Sequence, residues 1–527
     1  MQTSASTAPK GASFFSETPD RIFTVEDFSS DDRLMIETAE QFSRNEVMPH
    51  VEVIDKQEDG LMPKLIKKAG ELGLCGVDAP EAHGGLGLGK NLAARILEFM
   101  SLNGSFSVTY GITSGISQVG LALFGTEEQK AKYLPSLTAG ETIGAYALSE
   151  PNSGSDALSA TTRAELVNGQ WKLNGTKMWI SNAKWADLFL VMAKIDGEKF
   201  SAFLVERDRP GVSISREEHK LGLKGSSTAR LVLEDALIPE DNRLYQPGLG
   251  HHVAFNALNI GRFKLASMSM GPARDAMGLA AAYTDDRKQF GQSISNFGLI
   301  QKKLATMAAL YFATEAMVYR TGALIDSAFE TWGGTIDGNR KASEEYAIEC
   351  SACKVFATEA EAWIVDEALQ CYGGYGFTEE FPIARHYRDA RVSRIYEGTN
   401  EINRIFLADR LMRWAKDGRA SVTAAGDSWI SELAGKALAT KPTDQIRVGA
   451  CSDLVMLAYA EQSARLRAAQ MGGAGAAMYD LFLNVANARA AEAYQWATGE
   501  SVVLPAAKSV DVAELARRVA ECRGPVR

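Results

Sequence analysis

Long apolar runs are missing from this 527-residue chain: no stretch approaches the roughly 20 residues that a membrane-spanning helix needs, so no transmembrane segment is expected. Cysteine is scarce. Six residues (Cys75, Cys350, Cys353, Cys371, Cys451, Cys522) are scattered along the chain, which fits a reducing compartment better than a disulfide framework. Cys350 and Cys353 form a lone CxxC in a helical pattern with no second pair and no ordered histidine spacing. They are expected to be buried structural thiols, and no metal site is expected.

Positive charge is also in short supply. Lys and Arg number 56 against 66 Asp and Glu, giving a net charge of -10 with no dense basic stripe, which argues against nucleic acid as a partner. A phosphate-rich small ligand needs only a few local donors, so the acidic total does not argue against one. Met1 to Phe15 holds no apolar core and no arginine precedes Arg21, so a flexible tail over 1–30 is expected rather than a secretory signal, and an organellar transit peptide is disfavoured.

What is present is enough chain for several packed modules, with 46% hydrophobic and 23% charged residues. Helical periodicity fills 31–143, as in Met35 to Phe42 and Leu65 to Leu72. Strand-like segments then dominate 144–248: Gln170 to Leu173, Leu188 to Val191, Phe200 to Val205 and Arg230 to Leu233, with Asn174-Gly175 and Pro210-Gly211 read as turns. Long helical stretches return over 249–416, notably Ile300 to Phe329 and Glu344 to Tyr372, with a glycine break at Gly373 to Gly376. An Ala-rich helical extension occupies 417–527. The fold class is therefore multidomain α+β: a helical domain, a small β domain, a helical bundle and an appended helical module.

Gly84 to Lys90 (GGLGLGK) has the spacing of a phosphate loop, but Asn91 stands where a Ser or Thr should bind magnesium and no strand precedes it, so it reads as a connecting loop. Tyr146 to Asp156 (YALSEPNSGSD) combines hydroxyls and small residues that let a polar ligand approach the backbone closely. Lys177 to Asn182 (KMWISN) adds an aromatic face beside another hydroxyl, suited to a planar ring. Taken singly, these are a Ser-rich turn and a core tryptophan.

Together they resemble the two flavin-contacting signatures of the acyl-CoA dehydrogenase family. The resemblance continues, in the family's order and with matching intervals, through Tyr283 to Gly291 (YTDDRKQFG), Gln370 to Phe377 (QCYGGYGF), Arg388 to Arg391 (RDAR) and Ile395 to Ile402 (IYEGTNEI). It covers about Phe28 to Arg413 and is nearest the long- and very-long-chain branch in its C-terminal extension and in Asn259 to Phe263 (NIGRF).

The resemblance implies a helical, β-barrel and four-helix-bundle arrangement holding FAD, and an enzyme that introduces the α,β double bond of fatty acyl-CoA thioesters. Tyr146, Leu148 and Ser149 correspond to isoalloxazine contacts, and Trp179 with Ser181 to the flanks of its N5 region. Gly154 falls in the same signature, and Ser155 matches the serine near the pantetheine arm. Arg287, Gln289, Phe290, Gln370 and Gly374 match FAD contacts made across a subunit interface, which implies a homodimer or homotetramer; Thr399 and Glu401 match the pyrophosphate and ribityl end. Arg262 and Gly398 correspond to substrate-side positions.

The chemistry needs a base for the α-proton, because a thioester C–H is a weak acid, and flavin N5 to accept the β-hydride. Glu397 is that base by resemblance. Some branches carry the base directly before the arginine equivalent to Arg262; here that residue is Gly261. The same resemblance implies an electron-transfer flavoprotein as acceptor and a cytoplasmic location, or the mitochondrial matrix in a eukaryote. It also points to long acyl chains, with the small residues Gly115, Ser117 and Gly120 lying in the tunnel-lining segment. The resemblance to that branch also allows peripheral membrane contact by the extension, although its Ala-rich helices here lack an obvious basic amphipathic face. The rival readings are an acyl-CoA oxidase passing electrons to O₂ and, from another class, a nucleic-acid-associated flavoprotein of the same fold.

Overall fold

The computed structural model describes residues 10–422 and 428–526. The chain forms two compact units: one comprises Ser30–Lys264 and Trp332–Glu344, the other the chain up to Ser29, Leu265–Thr331 and the chain from Glu345 onward.

The first unit opens with helices Ser30–Phe42, Leu61–Glu71, Lys90–Phe99, Gly104–Gly111, Ser117–Phe124 and Glu127–Thr138. The last begins in a capping box: Thr126 Oγ1 accepts from Gln129 N–H at 3.2 Å while Gln129 Oε1 accepts from Thr126 N–H at 3.0 Å. Eight strands follow: β1 Gly144–Ala147, β2 Arg163–Val167, β3 Gln170–Ser181, β4 Leu188–Ile195, β5 Lys199–Glu206, β6 Val212–Ile214, β7 Thr228–Pro239 and β8 Arg243–Leu244. They form one sheet in the order β6-β7-β3-β2-β4-β5-β8, with β1 pairing parallel to β4.

Asn174-Gly175 is not a turn but a bulge inside the continuous strand β3, where the register with β7 shifts. The Asn174 side chain pairs reciprocally with Asp235, and a Cβ on Gly175 would sit 2.4 Å from Thr162 Oγ1. Glycine is needed here for close approach of two strands rather than for chain reversal. Pro210-Gly211 does lie in a turn, between β5 and β6.

The second unit is helical. Its dehydrogenase-like portion holds helices Gly298–Trp332, Ala347–Tyr372, Pro382–Ala390 and Asn400–Lys416, and the extension adds Trp429–Ala439, Gln445–Met471, Gly473–Thr498 and Val512–Cys522. Ser428, Asp444 and Asp511 each cap the helix that follows, accepting from its first-turn amides.

The expectation of a flexible tail over 1–30 is corrected for residues 10–29. Phe14 and Phe15 are buried, and Phe14 packs 4.7 Å from the Tyr459 ring. Backbone groups are held as well: Gln470 bonds both N–H and C=O of Ile22, and Gln462 Nε2 donates to Phe14 O at 3.1 Å. Composition hid this because the anchoring groups lie more than 400 residues away.

Cys350 and Cys353 are buried, as expected, and burial pushes the Cys353 thiol up to about 12, where it stays protonated and inert. Among the described residues no helix is long and apolar enough to cross a membrane, and no cluster of His, Cys, Asp and Glu could hold a metal.

Candidate functional site

In the unit containing the sheet, the first two signatures are fastened together by a buried ion pair. Lys177, with no exposed surface, donates to Glu150 at 2.7 Å and to Leu148 O at 3.1 Å. Glu150 also accepts from the amides and hydroxyls of Thr161 and Thr162. Burial alone would push the Glu150 carboxyl up; the Lys177 ammonium and these hydrogen bonds outweigh it and hold the group near about 2. Met178 N–H donates to Ser149 O at 2.8 Å, so Leu148 and Ser149 run alongside Lys177 to Trp179.

Trp179 follows at a second register shift of β3. Its φ is +61° and its indole is 56% exposed. A bulky residue in the left-handed region costs about 1–2 kcal/mol, and an exposed indole recovers little by burial. The next residues, Ser181 and Asn182, return the chain to the core, where Asn182 (φ +66°) donates to Gly144 O at 2.9 Å and Thr109 O at 3.2 Å. An open aromatic face, held by strain beside the half-buried Tyr146, Leu148, Ser149 and Ser181, suits a planar heteroaromatic ring. Gly154 and Ser155 lie exposed immediately after the turn closed by the Glu150–Ser153 backbone pair. Arg262 is buried in this unit and donates to Asn259 Oδ1 at 3.1 Å.

In the helical unit, Glu397, Gly398, Thr399 and Glu401 share one turn. Glu397 has φ +57° and Gly398 φ +81°, two successive left-handed residues of which only the second is free of a Cβ penalty. The turn is clamped at its carbonyls. Asn403 Nδ2 reaches Gly398 O at 2.8 Å and Thr399 O at 3.1 Å, and the fully buried Lys354 donates to Gly398 O at 2.9 Å and Asn400 Oδ1 at 2.6 Å. Thr399 caps helix Asn400–Lys416, accepting from Ile402 N–H, and the amide at the helix start holds the Glu401 carboxyl below its ordinary range. One turn further on, Arg404 makes a two-pronged bond to Glu359 at 2.7 and 2.9 Å and reaches Asp453 of the extension at 2.8 Å. Strain at Glu397 is therefore paid for by a dense set of bonds beneath it.

The remaining signature residues of this unit gather at a different place. Arg287 lies over the Tyr375 ring at 5.8 Å, and the hairpin that follows places Phe290 (φ +52°) 94% exposed at its tip, beside Gln289. Gln370 is exposed at the end of helix Ala347–Tyr372, and a Cβ on Gly374 would meet nothing within 4 Å. Large exposed rings and open backbone on one hairpin-and-turn surface fit a ligand or a second subunit.

The sequence reading missed Lys354, Asn403 and the Lys177–Glu150 pair. The signal for Lys354 was there: it is the one charged residue in the run Cys350 to Phe356.

Comparison with known proteins gives matches to the acyl-CoA dehydrogenase N-terminal domain over residues 29–141, middle domain over 145–236 and C-terminal domain over 248–412. A probable acyl-CoA dehydrogenase of Bacillus subtilis is 46% identical over 441 residues, covering 82% of this chain and 74% of the relative. The human mitochondrial very long-chain specific acyl-CoA dehydrogenase is 40% identical over 350 residues, covering 64% of this chain and 51% of that protein. A crystal structure of an acyl-CoA dehydrogenase complexed with FAD from Bacillus anthracis superposes with a TM-score of 0.91 at 40% identity, covering 98% of this chain and all of that one.

Proposed function

The chain belongs to the acyl-CoA dehydrogenase family, and we propose that it desaturates long-chain fatty acyl-CoA thioesters at the α,β position in β-oxidation, with FAD as cofactor and Glu397 as base. The observation that carries the assignment of the base is the turn itself: a carboxylate residue at φ +57°, its following carbonyls bound by Lys354 and Asn403. Such cost is retained where a side chain must be aimed.

Tyr146, Leu148, Ser149, Trp179 and Ser181 fit the flavin ring: the exposed indole offers a face, and the tied backbone of Leu148 and Ser149 offers groups for a polar edge. Arg287, Gln289, Phe290, Gln370 and Gly374 fit the adenosine end of FAD from a second subunit, which makes the protein a homo-oligomer; the exposed Phe290 supports this. Thr399 and Glu401 fit the diphosphate and ribityl portion. Gly154 belongs with the cofactor contacts, and Ser155, Arg262 and Gly398 serve the thioester's CoA side.

Bound FAD supplies the acceptor for the hydride leaving the β-carbon. Glu397 takes the α-proton onto its carboxylate, and its backbone N–H would donate to the thioester carbonyl as negative charge develops there. An electron-transfer flavoprotein would be the partner that takes up the electrons.

Anaerobic titration with butyryl-, octanoyl- and palmitoyl-CoA, following flavin bleaching, tests this reading beside an aerobic peroxide assay. Bleaching by palmitoyl-CoA with little peroxide is expected. Rapid peroxide would make the protein an acyl-CoA oxidase, and preference for butyryl-CoA would overturn the long-chain assignment.

A further inference from the structure

The unit containing the sheet buries a charged cluster that this chemistry does not use. Asp78 takes one lysine on each carboxylate oxygen, Lys264 Nζ lying 2.9 Å from Oδ1 and Lys90 Nζ 3.2 Å from Oδ2, and none of the three side chains is more than 13% exposed. Lys90 opens helix Lys90–Phe99, where the helix dipole disfavours a cation, and Asp78 offsets that cost. The glycine run before it, Gly84 to Gly89, is no phosphate cradle. Its amides at Leu86, Gly87 and Leu88 donate to the carbonyls of Gly76, Ala79 and Val77, so the run braces the segment that carries Asp78.

Lys264 has a second partner, the carbonyl of Ser114 at 3.3 Å. Ser114 lies in a break between helices Gly104–Gly111 and Ser117–Phe124: over Ile112–Ile116 the turn widens to π geometry, and Gly115 leaves the helical region at φ -123°, ψ -107°. Side chains grip the carbonyls of this break, since Ser117 Oγ also donates to Ile112 O at 2.7 Å. A Cβ built on Gly115 would meet Lys264 Cδ at 3.7 Å, so the lysine stem bounds the space beside the glycine. The break also touches the proposed flavin strand. Asn182, directly after Ser181, donates to Thr109 O at 3.2 Å and to Thr113 Oγ1 at 3.4 Å, while Lys264 follows two positions after Arg262 on helix Gly250–Asp286. Widened turns of this kind recur at functional sites.

We propose that Lys264, anchored by Asp78, is a positioning residue for acyl-chain selectivity: its bond to Ser114 holds the helix break open at Gly115, and its stem bounds the space that the far end of a long acyl chain enters. The proposal rests on the chain acting as an acyl-CoA dehydrogenase. Without the ammonium, the Ser114 carbonyl loses this donor and the break relaxes. Long chains then lose room, whereas short chains end before reaching it.

Two measurements on the holoenzyme test it. In Lys264→Met, the efficiency of flavin bleaching by palmitoyl-CoA is expected to fall about tenfold, the worth of one hydrogen bond from a charged donor, while that by butyryl-CoA changes less than about twofold. Lys90→Met is the matched control: it takes an equal charge from Asp78, leaves the Lys264–Ser114 bond in place and keeps the wild-type ratio of the two substrates. Hydrogen exchange supplies a readout independent of flavin and turnover, with the amides of 112–118 exchanging faster in Lys264→Met than in Lys90→Met. Should Lys264→Met not fold, Asp78→Asn combined with Lys264→Met preserves the cluster's net charge and carries the same expectation. An equal loss with both substrates, the same change of ratio in Lys90→Met, or unchanged exchange over 112–118 overturns the proposal. A wild type that no acyl-CoA bleaches overturns the dehydrogenase reading instead, and the exchange comparison still reports whether Lys264 holds the break.

Discussion

Lys354 donates from a fully buried ammonium to the carbonyl of Gly398, 2.9 Å away, and so grips the residue that immediately follows Glu397. A charged donor to a buried carbonyl is worth about 1.5–3 kcal/mol. Replacing Lys354 by Met keeps the length and removes the charge, and is expected to slow flavin bleaching by about 10- to 100-fold while acyl-CoA binding weakens far less. Stopped-flow rates against substrate concentration separate the two effects; an equal loss in both would make Lys354 a binding residue.

Glu397→Gln removes the proposed proton acceptor without changing shape. The bleaching rate is expected to fall by about 10²- to 10⁴-fold, the usual worth of a general base, with flavin content retained. A variant that bleaches at the wild-type rate would move the base elsewhere.

Trp179 should trade stability against cofactor. Gly at this position relieves a left-handed backbone worth about 1 kcal/mol, so Trp179→Gly is expected to melt at or above the wild type as apoprotein while holding less flavin. Thermal melts and the flavin-to-protein absorbance ratio check the two halves separately.

The N-terminal segment gives a pH dependence. Glu349 accepts from Ala12 N–H at 2.6 Å, and burial raises its carboxyl to about 7 from the ordinary value of 4.5. A raised folded-state value means the native state binds the proton more tightly, so the stabilisation is complete below 4.5 and is lost as pH rises through about 7. Glu349→Gln is expected to raise the melting temperature at pH 8 and to change it little in mild acid. A shift of equal size at both pH values would show that Glu349 is not titrating.

Much of this was legible in the sequence. The helical, sheet and helical order followed from the change of hydrophobic period, and the family from motifs spread between Tyr146 and Ile402. The strain at Trp179 and Glu397 was not legible, because β-propensity and a Tyr-Glu-Gly run say nothing of the φ a residue is made to adopt. Asn403 escaped because its partners are nearby backbone carbonyls, which leave no mark in composition, and the lone cation Lys354 could be seen but not its partner, a carbonyl 44 residues distant. Asn174-Gly175 misled because the dipeptide that favours a hairpin also suits a bulge. Phe14 and Phe15 lay in a stretch whose Ser and Thr content masked two core aromatics.

Arg404 ties the helix that starts after Glu397 to Glu359 on one side and to Asp453 of the extension on the other, and Ser452 adds a bond to its backbone carbonyl. The extension is thus a splint as well as an appendage. A hybrid that grafts the tail of one relative onto the body of another is therefore expected to hold this helix less firmly unless Arg404, Ser452 and Asp453 are exchanged as a set.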